Sequence, residues 1–215
     1  MTAPTVFVVD DDASVRKALA RLFTSIGVRA EVFAGAAEFL ERAPRGEHGC
    51  ILLDIKMPNT TGLELQRMLG GAGIDLPVVF LSAHADVPLS VRAMKDGALD
   101  VITKPFREHA LLDAVRRAIA LDQTRHAERA VYDHLLKRFG TLTPREQSVM
   151  GLVVTGKPNK EVATLLGISL KTVKAHRANV MVKMGASSLP GLVRMADRLG
   201  LSSDIFVAEG VPKVQ

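Results

Sequence analysis

Gly49-Cys50-Ile51-Leu52-Leu53-Asp54 is a short apolar run that ends on a carboxylate. A run this apolar is typical of a strand covered on both faces, as in a parallel sheet between two layers of helices. Similar runs occur at 5–10, 29–33, 77–82 and 100–103, and helical patterns separate them. We therefore predict an α/β domain with a five-stranded, parallel, doubly wound sheet.

Polar side chains stand at the carboxyl ends of four of these strands: Asp10 with Asp11, then Asp54, Ser82 and Lys104. The carboxyl ends of parallel strands meet at one edge of the sheet, where ligands bind. Three carboxylates in one pocket repel one another unless a cation compensates them, and oxygen ligands suit Mg²⁺. The sequence thus predicts a magnesium site with a lysine beside it.

Four segments around these residues resemble the receiver domain of two-component response regulators: Val8-Val9-Asp10-Asp11-Asp12, Leu53-Asp54-Ile55-Lys56-Met57-Pro58, Leu81-Ser82-Ala83 and Thr103-Lys104-Pro105-Phe106. The resemblance implies that Asp54 accepts a phosphoryl group from the phosphohistidine of a sensor histidine kinase. It implies that Asp11 and Asp54 bind Mg²⁺. The backbone carbonyl of Lys56 is a further expected ligand, and Asp10 binds through water or supports the site.

Two other residues are expected to act on the phosphoryl group itself. By the resemblance, Ser82 moves toward that group on activation, and Lys104 holds its charge. The amide of the following Pro105 is cis in similar proteins. We favour the helix-cap interpretation for the neighbouring Asp12. Many receivers carry Tyr or Phe where this chain has Val101. The sequence therefore does not specify how a change at the pocket reaches the outer face of the domain.

The C-terminal part of the chain carries the whole net charge. Residues 1–140 contain 18 Lys and Arg and 18 Asp and Glu, whereas residues 141–215 contain 10 and 5, which accounts for the net +5. Six of these basic residues lie within 157–183, where Glu161 is the one acid. Phosphate backbones attract such a surface because binding releases condensed counterions. The charge run by itself also fits a solvated surface.

The same segment has the pattern of a small all-α helix-turn-helix domain. Thr143 is typical of a helix cap, and Asn159 is expected to cap the next helix, which ends at Gly167. Ser169 is the expected cap of a further helix over 170–184. In a helix-turn-helix this last helix lies in the major groove of DNA.

Seven residues of these helices are expected to contact DNA: Lys160, Lys171, Thr172, Lys174, His176, Arg177 and Asn179. Basic side chains suit phosphates, and Arg and Asn also pair with base edges. Lys160 fits a plain solvated lysine as well as a phosphate contact. His176 has no second ligand three or four residues away, so we interpret it as a packing or phosphate-contacting residue rather than a metal ligand.

Three segments resemble the LuxR/NarL type of DNA-binding domain: Leu142-Thr143-Pro144-Arg145-Glu146, Pro158-Asn159-Lys160-Glu161-Val162-Ala163 and Ser169-Leu170-Lys171-Thr172-Val173-Lys174-Ala175-His176-Arg177. With the receiver in front, the order of domains resembles the NarL/FixJ response regulators. We predict a receiver over 1–121, a helical linker over 122–140, the helix-turn-helix domain over 141–203 and a tail over 204–215. The resemblance also implies a last helix, over 189–199, that forms a dimer interface on DNA.

The predicted function is that of a phosphorylation-dependent transcriptional regulator of a two-component system. Phosphorylated receivers are expected to form a homodimer through the fourth helix, fifth strand and fifth helix, so that two DNA-binding domains engage double-stranded DNA together. We expect a cytoplasmic protein without membrane contact, because no apolar run approaches the roughly 20 residues that span a bilayer. The lone Cys50 fits a reducing compartment. Catalysis is expected only of its own phosphotransfer and dephosphorylation.

Two other functions stay open at this point. The chain can be a DNA-binding protein whose receiver is a constitutive dimer with a vestigial acidic pocket, and Val101 favours this alternative. It can also be a Mg²⁺-dependent phosphatase on the same architecture. That alternative needs further acid or base groups beside Asp54, and the following Ile55 offers none.

Overall fold

The computed structural model describes residues 3–83 and 87–201, and the chain divides into two units, Met1–His126 and Ala127–Gln215. The predicted tail over 204–215 lies outside the described residues, as do the last two residues of the predicted helix-turn-helix domain. The finer division drawn from the sequence, with a separate helical linker, stays a prediction. Among the helices that the structure describes, none is long and apolar enough to cross a membrane.

The first unit is built on a parallel sheet with the strand order β2-β1-β3-β4-β5. Its strands are β1 (Thr5–Val9), β2 (Arg29–Phe33), β3 (Gly49–Asp54), β4 (Val78–Ser82) and β5 (Asp100–Thr103). Every residue of β1, β3 and β4 is buried, as expected of apolar strands covered on both faces. The predicted five-stranded α/β fold is confirmed.

Helices cover both faces of this sheet. Helices α2 (Ala36–Arg42), α3 (Gly62–Gly71) and α4 (Val87–Lys95) share one apolar core with it, and α1 (Ala13–Ser25) and α5 (Glu108–Gly140) share the other. Successive side chains of β1 alternate between the two cores, because side chains of a strand point to opposite faces in turn. This doubly wound arrangement leaves the carboxyl ends of the strands open for a site.

The second unit is helical and has its own apolar core. After the end of α5 it contains α6 (Pro144–Val154), α7 (Asn159–Leu166), α8 (Leu170–Met184) and α9 (Leu189–Arg198). Between α7 and α8 the chain turns at Gly167, whose φ of +64° is easily adopted by glycine. The predicted all-α helix-turn-helix domain is confirmed within the described residues.

The start of α7 differs from the prediction. Its N-cap position is Pro158, and no side chain caps this end of the helix. Asn159 is the first residue of the helix, and its Oδ1 accepts a hydrogen bond from Nη1 of Arg177 at 2.9 Å. The predicted cap is wrong because the side-chain amide binds an arginine of α8 and not the backbone of its own helix.

Candidate functional site

Three carboxylates meet at the carboxyl edge of the sheet, as predicted. One oxygen from each of Asp10, Asp11 and Asp54 lies within 4.8 Å of the others. Asp10 and Asp54 are buried, and Asp11 is exposed. The cluster therefore opens to solvent at Asp11 and is closed behind the other two acids.

Lys104 joins this cluster as its positive charge. Its Nζ lies 2.6 Å from Oδ2 of Asp10 and 3.3 Å from Oδ1 of Asp54. The amide between Lys104 and Pro105 is cis, as predicted. The backbone N–H of Lys104 donates to the carbonyl of Ser82 at 2.6 Å, which links the ends of the two strands. The structure thus brings Ser82 and Lys104 to the pocket that contains Asp54.

Among the described residues, the three clustered carboxylates outnumber the one ammonium group that contacts them, that of Lys104. Burial raises the pKa of Asp54; Lys104 lowers this pKa and Asp10 raises it again, and the net effect is a raised pKa. Burial lowers the pKa of Lys104, but its hydrogen bonds with Asp10 and Asp54 and their charges outweigh burial and raise it. The lysine is therefore charged at neutral pH, while a further cation would favour the ionised form of Asp54.

The donor set fits a hard divalent cation such as Mg²⁺. Asp10, Asp11 and Asp54 offer three carboxylate oxygens to one point, and the exposed Asp11 leaves room for bound waters. Both oxygens of Asp10 already accept hydrogen bonds, one from the backbone N–H of Asp12 at 2.9 Å and one from Lys104. Asp11 and Asp54 are consequently better direct ligands than Asp10, which orients the lysine. The exposed Lys56 follows Asp54 by two residues, and its backbone carbonyl is the remaining candidate.

Two residues that shape this pocket were not identified from the sequence. The backbone N–H of Gly62 donates to the carbonyl of Ile55 at 3.0 Å, and a Cβ at Gly62 would lie only 2.2 Å from the carbonyl oxygen of Asp54. Arg16 donates from Nη1 to the carbonyl of Asp10 at 2.6 Å. Gly62 is the first residue of the helix that follows the strand ending at Asp54. This pattern is a sequence signal that could have identified it. The predicted cap Asp12 is confirmed, since its carboxylate accepts from the backbone of Ser14.

The outer face of β5 and α4 carries an open groove. Val101 is half-buried and packs against the core, in place of the aromatic ring of many receivers. Nearby, Val91 and Met94 are 46% and 48% exposed. The groove has a volume of about 500 Å³ and is lined by Ser90, Val91, Met94, Lys95, Asp100 and Val101. Apolar side chains are therefore available to another surface here.

In the second unit, α8 presents the predicted basic face. Its N-cap Ser169 accepts a hydrogen bond from the backbone N–H of Thr172 at 3.1 Å, as predicted. The predicted DNA contacts divide by exposure. Four are exposed: Lys160, Lys171, Lys174 and Asn179. Three are half-buried: Thr172, His176 and Arg177. On the exposed side of α8 the small residues Ala175 and Ala178 lie between these polar groups.

Two lysines counted in the positive charge of this segment are engaged within the unit. Lys183 donates from Nζ to Oε2 of the buried Glu146 at 2.6 Å and to the carbonyl of Thr141 at 3.2 Å. Lys157 forms an ion pair with Glu161 one turn further along. The charge count alone therefore overstated how much of the positive charge faces solvent freely.

Glu146 is a buried acid at the start of α6. Its capping box with Thr143 starts α6, as predicted. Burial raises the pKa of Glu146, but hydrogen bonds from Lys183 and Thr143 outweigh burial and lower the pKa to about 2. A sequence pattern identified the cap but not the lysine, because Lys183 is 37 residues away in the chain.

Comparison with known proteins agrees with both units. Residues 6–116 match the family described as "Response regulator receiver domain", and residues 140–196 match "Bacterial regulatory proteins, luxR family". Nodulation protein W of Bradyrhizobium diazoefficiens is 44% identical over 203 residues, which cover 94% of this chain and 89% of that protein. Transcriptional regulatory protein FixJ of Rhizobium meliloti is 43% identical over 196 residues, which cover 91% of this chain and 96% of that protein.

A solved structure is similar over nearly the whole chain. The response regulator StyR aligns with a TM-score of 0.82 and 45% identity, covering 92% of this chain and all of that one. This chain thus combines an acidic pocket on a receiver sheet with a helix-turn-helix unit of the LuxR type. The chain belongs to the two-component response regulators of the NarL/FixJ type, and it is a transcriptional regulator with a receiver domain and a LuxR-type DNA-binding domain.

Proposed function

We propose that Asp54 is the phosphoacceptor and that its phosphorylation promotes dimerisation and DNA binding. The observation that carries this proposal is the position of Lys104, which contacts Asp10 at 2.6 Å and Asp54 at 3.3 Å. The lysine is held by the first acid and directed at the second. It is therefore ready to pair with charge that appears on Asp54.

The proposed transfer is a displacement at phosphorus. An oxygen of Asp54 attacks the phosphoryl group of a kinase phosphohistidine, a P–O bond forms, and the P–N bond to the imidazole breaks with its electron pair leaving on the nitrogen. Asp11, Asp54 and the backbone carbonyl of Lys56 would hold Mg²⁺, which would neutralise charge on the attacking oxygen and the transferred group. Lys104 pairs with a phosphoryl oxygen, and the hydroxyl of Ser82 donates to another. We propose no catalysis beyond the formation of this acyl phosphate from the phosphohistidine and its later hydrolysis by water to free phosphate and Asp54.

The proposed output is DNA binding by α8 of two linked copies. Exposed Lys171 and Lys174 suit phosphate oxygens, and Asn179 offers a side-chain amide to a base edge. Because such contacts need access to the DNA, we propose that the protein acts in the bacterial cytoplasm. Exposed Val91 and Met94 beside the groove on α4 and β5 supply apolar area for a receiver dimer. Dimerisation would raise the effective concentration of the second DNA-binding domain.

The test is activation by beryllofluoride, which mimics a phosphoryl group on a carboxylate. With Mg²⁺ present, sedimentation should show a doubled mass for the wild type and no change for Asp54→Asn. Affinity for a short duplex of mixed sequence should rise in parallel. A response of Asp54→Asn equal to that of the wild type would exclude Asp54 as the acceptor. A dimer of either protein without the mimic would instead favour the constitutive form that Val101 suggests.

A further inference from the structure

A second group of ligand-type side chains lies at the other end of the sheet. His48 precedes β3, whereas Asp122 and His126 lie one turn apart on α5. One ligand atom from each of the three lies within 4.8 Å of the others. Strand β3 runs from Gly49, beside this group, to Asp54, so about 17 Å of strand separates it from the acidic pocket. The cluster is no part of the phosphoacceptor site.

Two distances in this cluster, one to each oxygen of Asp122, are close to those between neighbouring ligands of a tetrahedral metal. Nδ1 of His48 lies 3.3 Å from Oδ2 of Asp122, and Nε2 of His126 lies 3.5 Å from its Oδ1. Ligand bonds of about 2.0–2.1 Å arranged as a tetrahedron place neighbouring ligand atoms about 3.3 Å apart. The three ligand atoms lie within 4.8 Å of one another, so rotation of the imidazole rings would let one ion reach all three side chains.

The carboxylate of Asp122 has an unsatisfied oxygen. Its Oδ2 accepts a hydrogen bond from the backbone N–H of Gly49 at 3.1 Å, in addition to its contact with His48. Its Oδ1 is buried and accepts no hydrogen bond from any residue that the structure describes. The side chain is only 1% exposed, and a buried carboxylate oxygen without a partner is costly. The free oxygen faces His126, on the side where a cation would complete its coordination.

The two imidazole rings of the cluster lie close to each other. Their ring centroids are 4.0 Å apart and the rings are tilted by 56°. Two imidazolium ions this close would repel each other, whereas two neutral rings can direct nitrogen lone pairs at one ion. The side chains of His48 and His126 are 22% and 32% exposed, so an ion can enter from solvent without opening the core.

We propose that His48, Asp122 and His126 form a site for a divalent transition metal, for which Zn²⁺ has the most suitable coordination chemistry. Imidazole with one carboxylate suits zinc, whereas Mg²⁺ and Ca²⁺ prefer sites made of oxygen alone. Three protein ligands leave the fourth position to water. The bound ion would connect α5 to the start of β3, where Gly49 already holds Asp122 through its N–H. It would thereby stabilise the receiver at its end remote from Asp54.

The test uses the full-length chain, freed of metal by a chelator and returned to buffer with millimolar Mg²⁺ so that the acidic pocket is supplied. Titration with Co²⁺ should produce the strong visible absorption of a low-coordinate ion at one equivalent, and Zn²⁺ should abolish it. Excess Zn²⁺, a hundredfold over its Kd, should raise the Tm of the receiver by about 5 °C or more.

Three variants and one matched control locate the ion. His126→Ala and His48→Ala each remove one proposed ligand. Loss of a residue that only supports a ligand weakens metal binding about 10–100-fold, so loss of a ligand should weaken Co²⁺ binding by at least this factor. Asp122→Asn retains an acceptor for Gly49 and should also lose the signal, while His109→Ala, at an exposed histidine of the same helix, should keep it. Beryllofluoride activation checks that each variant is folded. Equal Co²⁺ affinity in His126→Ala and His109→Ala, or loss of the signal in Asp54→Asn, would overturn the proposal.

Discussion

Gly62 packs so closely on the backbone of Asp54 that a Cβ at Gly62 would lie 2.2 Å from the carbonyl oxygen of the acid. Any side chain at this position must displace the end of β3, because backbone atoms cannot move aside as a flexible side chain can. The glycine therefore helps to shape the proposed phosphoacceptor site, although it offers no functional group.

We expect Gly62→Ala to reduce the rate of phosphorylation of Asp54 at least tenfold. Forcing the extra atom into a packed site should also cost the receiver about 1–3 kcal/mol of stability. Labelling by a small-molecule phosphodonor and urea unfolding measure the two effects. Gly70→Ala, in the same helix, is the control: nothing lies within 4 Å of its added Cβ, so phosphorylation should be unchanged and stability equal or higher.

Lys104→Met should separate metal binding from charge compensation. Removal of a positive charge that contacts Asp54 at 3.3 Å leaves a more negative pocket, so Mg²⁺ should bind about tenfold more tightly or better. Beryllofluoride should bind more weakly, because its negative charge would no longer pair with the ammonium group of Lys104. Calorimetric titration of each ligand tests both directions. The exposed Lys137→Met, in the second unit, should change neither affinity, and a weaker Mg²⁺ affinity in Lys104→Met would contradict the assigned role.

The architecture and the acidic pocket were predictable because their signals are local in the sequence. Apolar runs identify the buried strands, and the polar residue at the end of each run identifies its carboxyl end. Parallel pairing then brings Asp10, Asp54 and Lys104 to one edge, whatever the details of side-chain packing. The strand topology is therefore sufficient to bring these three residues together.

Contacts between helices could not be predicted in the same way. Asn159 has the sequence pattern of a helix cap, yet it binds Arg177, which is 18 residues away. His48 and Asp122 are 74 residues apart, and no spacing rule connects a loop before β3 with α5. Such pairs depend on which helix faces pack together, and the sequence pattern of each helix does not specify this.

Glu146 and Lys183 should make the DNA-binding domain sensitive to acid. The pKa of Glu146 is lowered to about 2 in the folded state, so the folded domain binds fewer protons than the unfolded chain. Its contribution to stability is present above the ordinary value of 4.5 and is lost as the pH falls from there toward 2. Stability measured by urea unfolding should fall over this range.

Glu146→Gln should remove this pH dependence and cost about 2 kcal/mol at neutral pH, the usual value of a buried hydrogen bond to a charged group. Glu161→Gln is the matched control, because Glu161 pairs with Lys157 at the surface. An exposed pair of this kind contributes about 0–1 kcal/mol. If the two variants were equally stable, the buried contact of Glu146 with Lys183 would contribute no more than a surface pair.

Lys171 and Arg177 both lie on α8, but their environments predict different effects of substitution. Lys171 is exposed, so Lys171→Ala should remove one phosphate contact and leave stability unchanged. The slope of log K against log salt for a duplex of mixed sequence should then become shallower by about 0.9 per domain.

Arg177 is half-buried and donates to Asn159 at 2.9 Å, so Arg177→Ala should weaken DNA binding and also lower the stability of the domain by about 1 kcal/mol. Asn159→Ala separates these effects, since it removes the contact between α7 and α8 and keeps the guanidinium. If it reproduces the loss of stability but retains most DNA affinity, Arg177 contacts DNA directly; if affinity falls equally, the arginine acts by positioning α8.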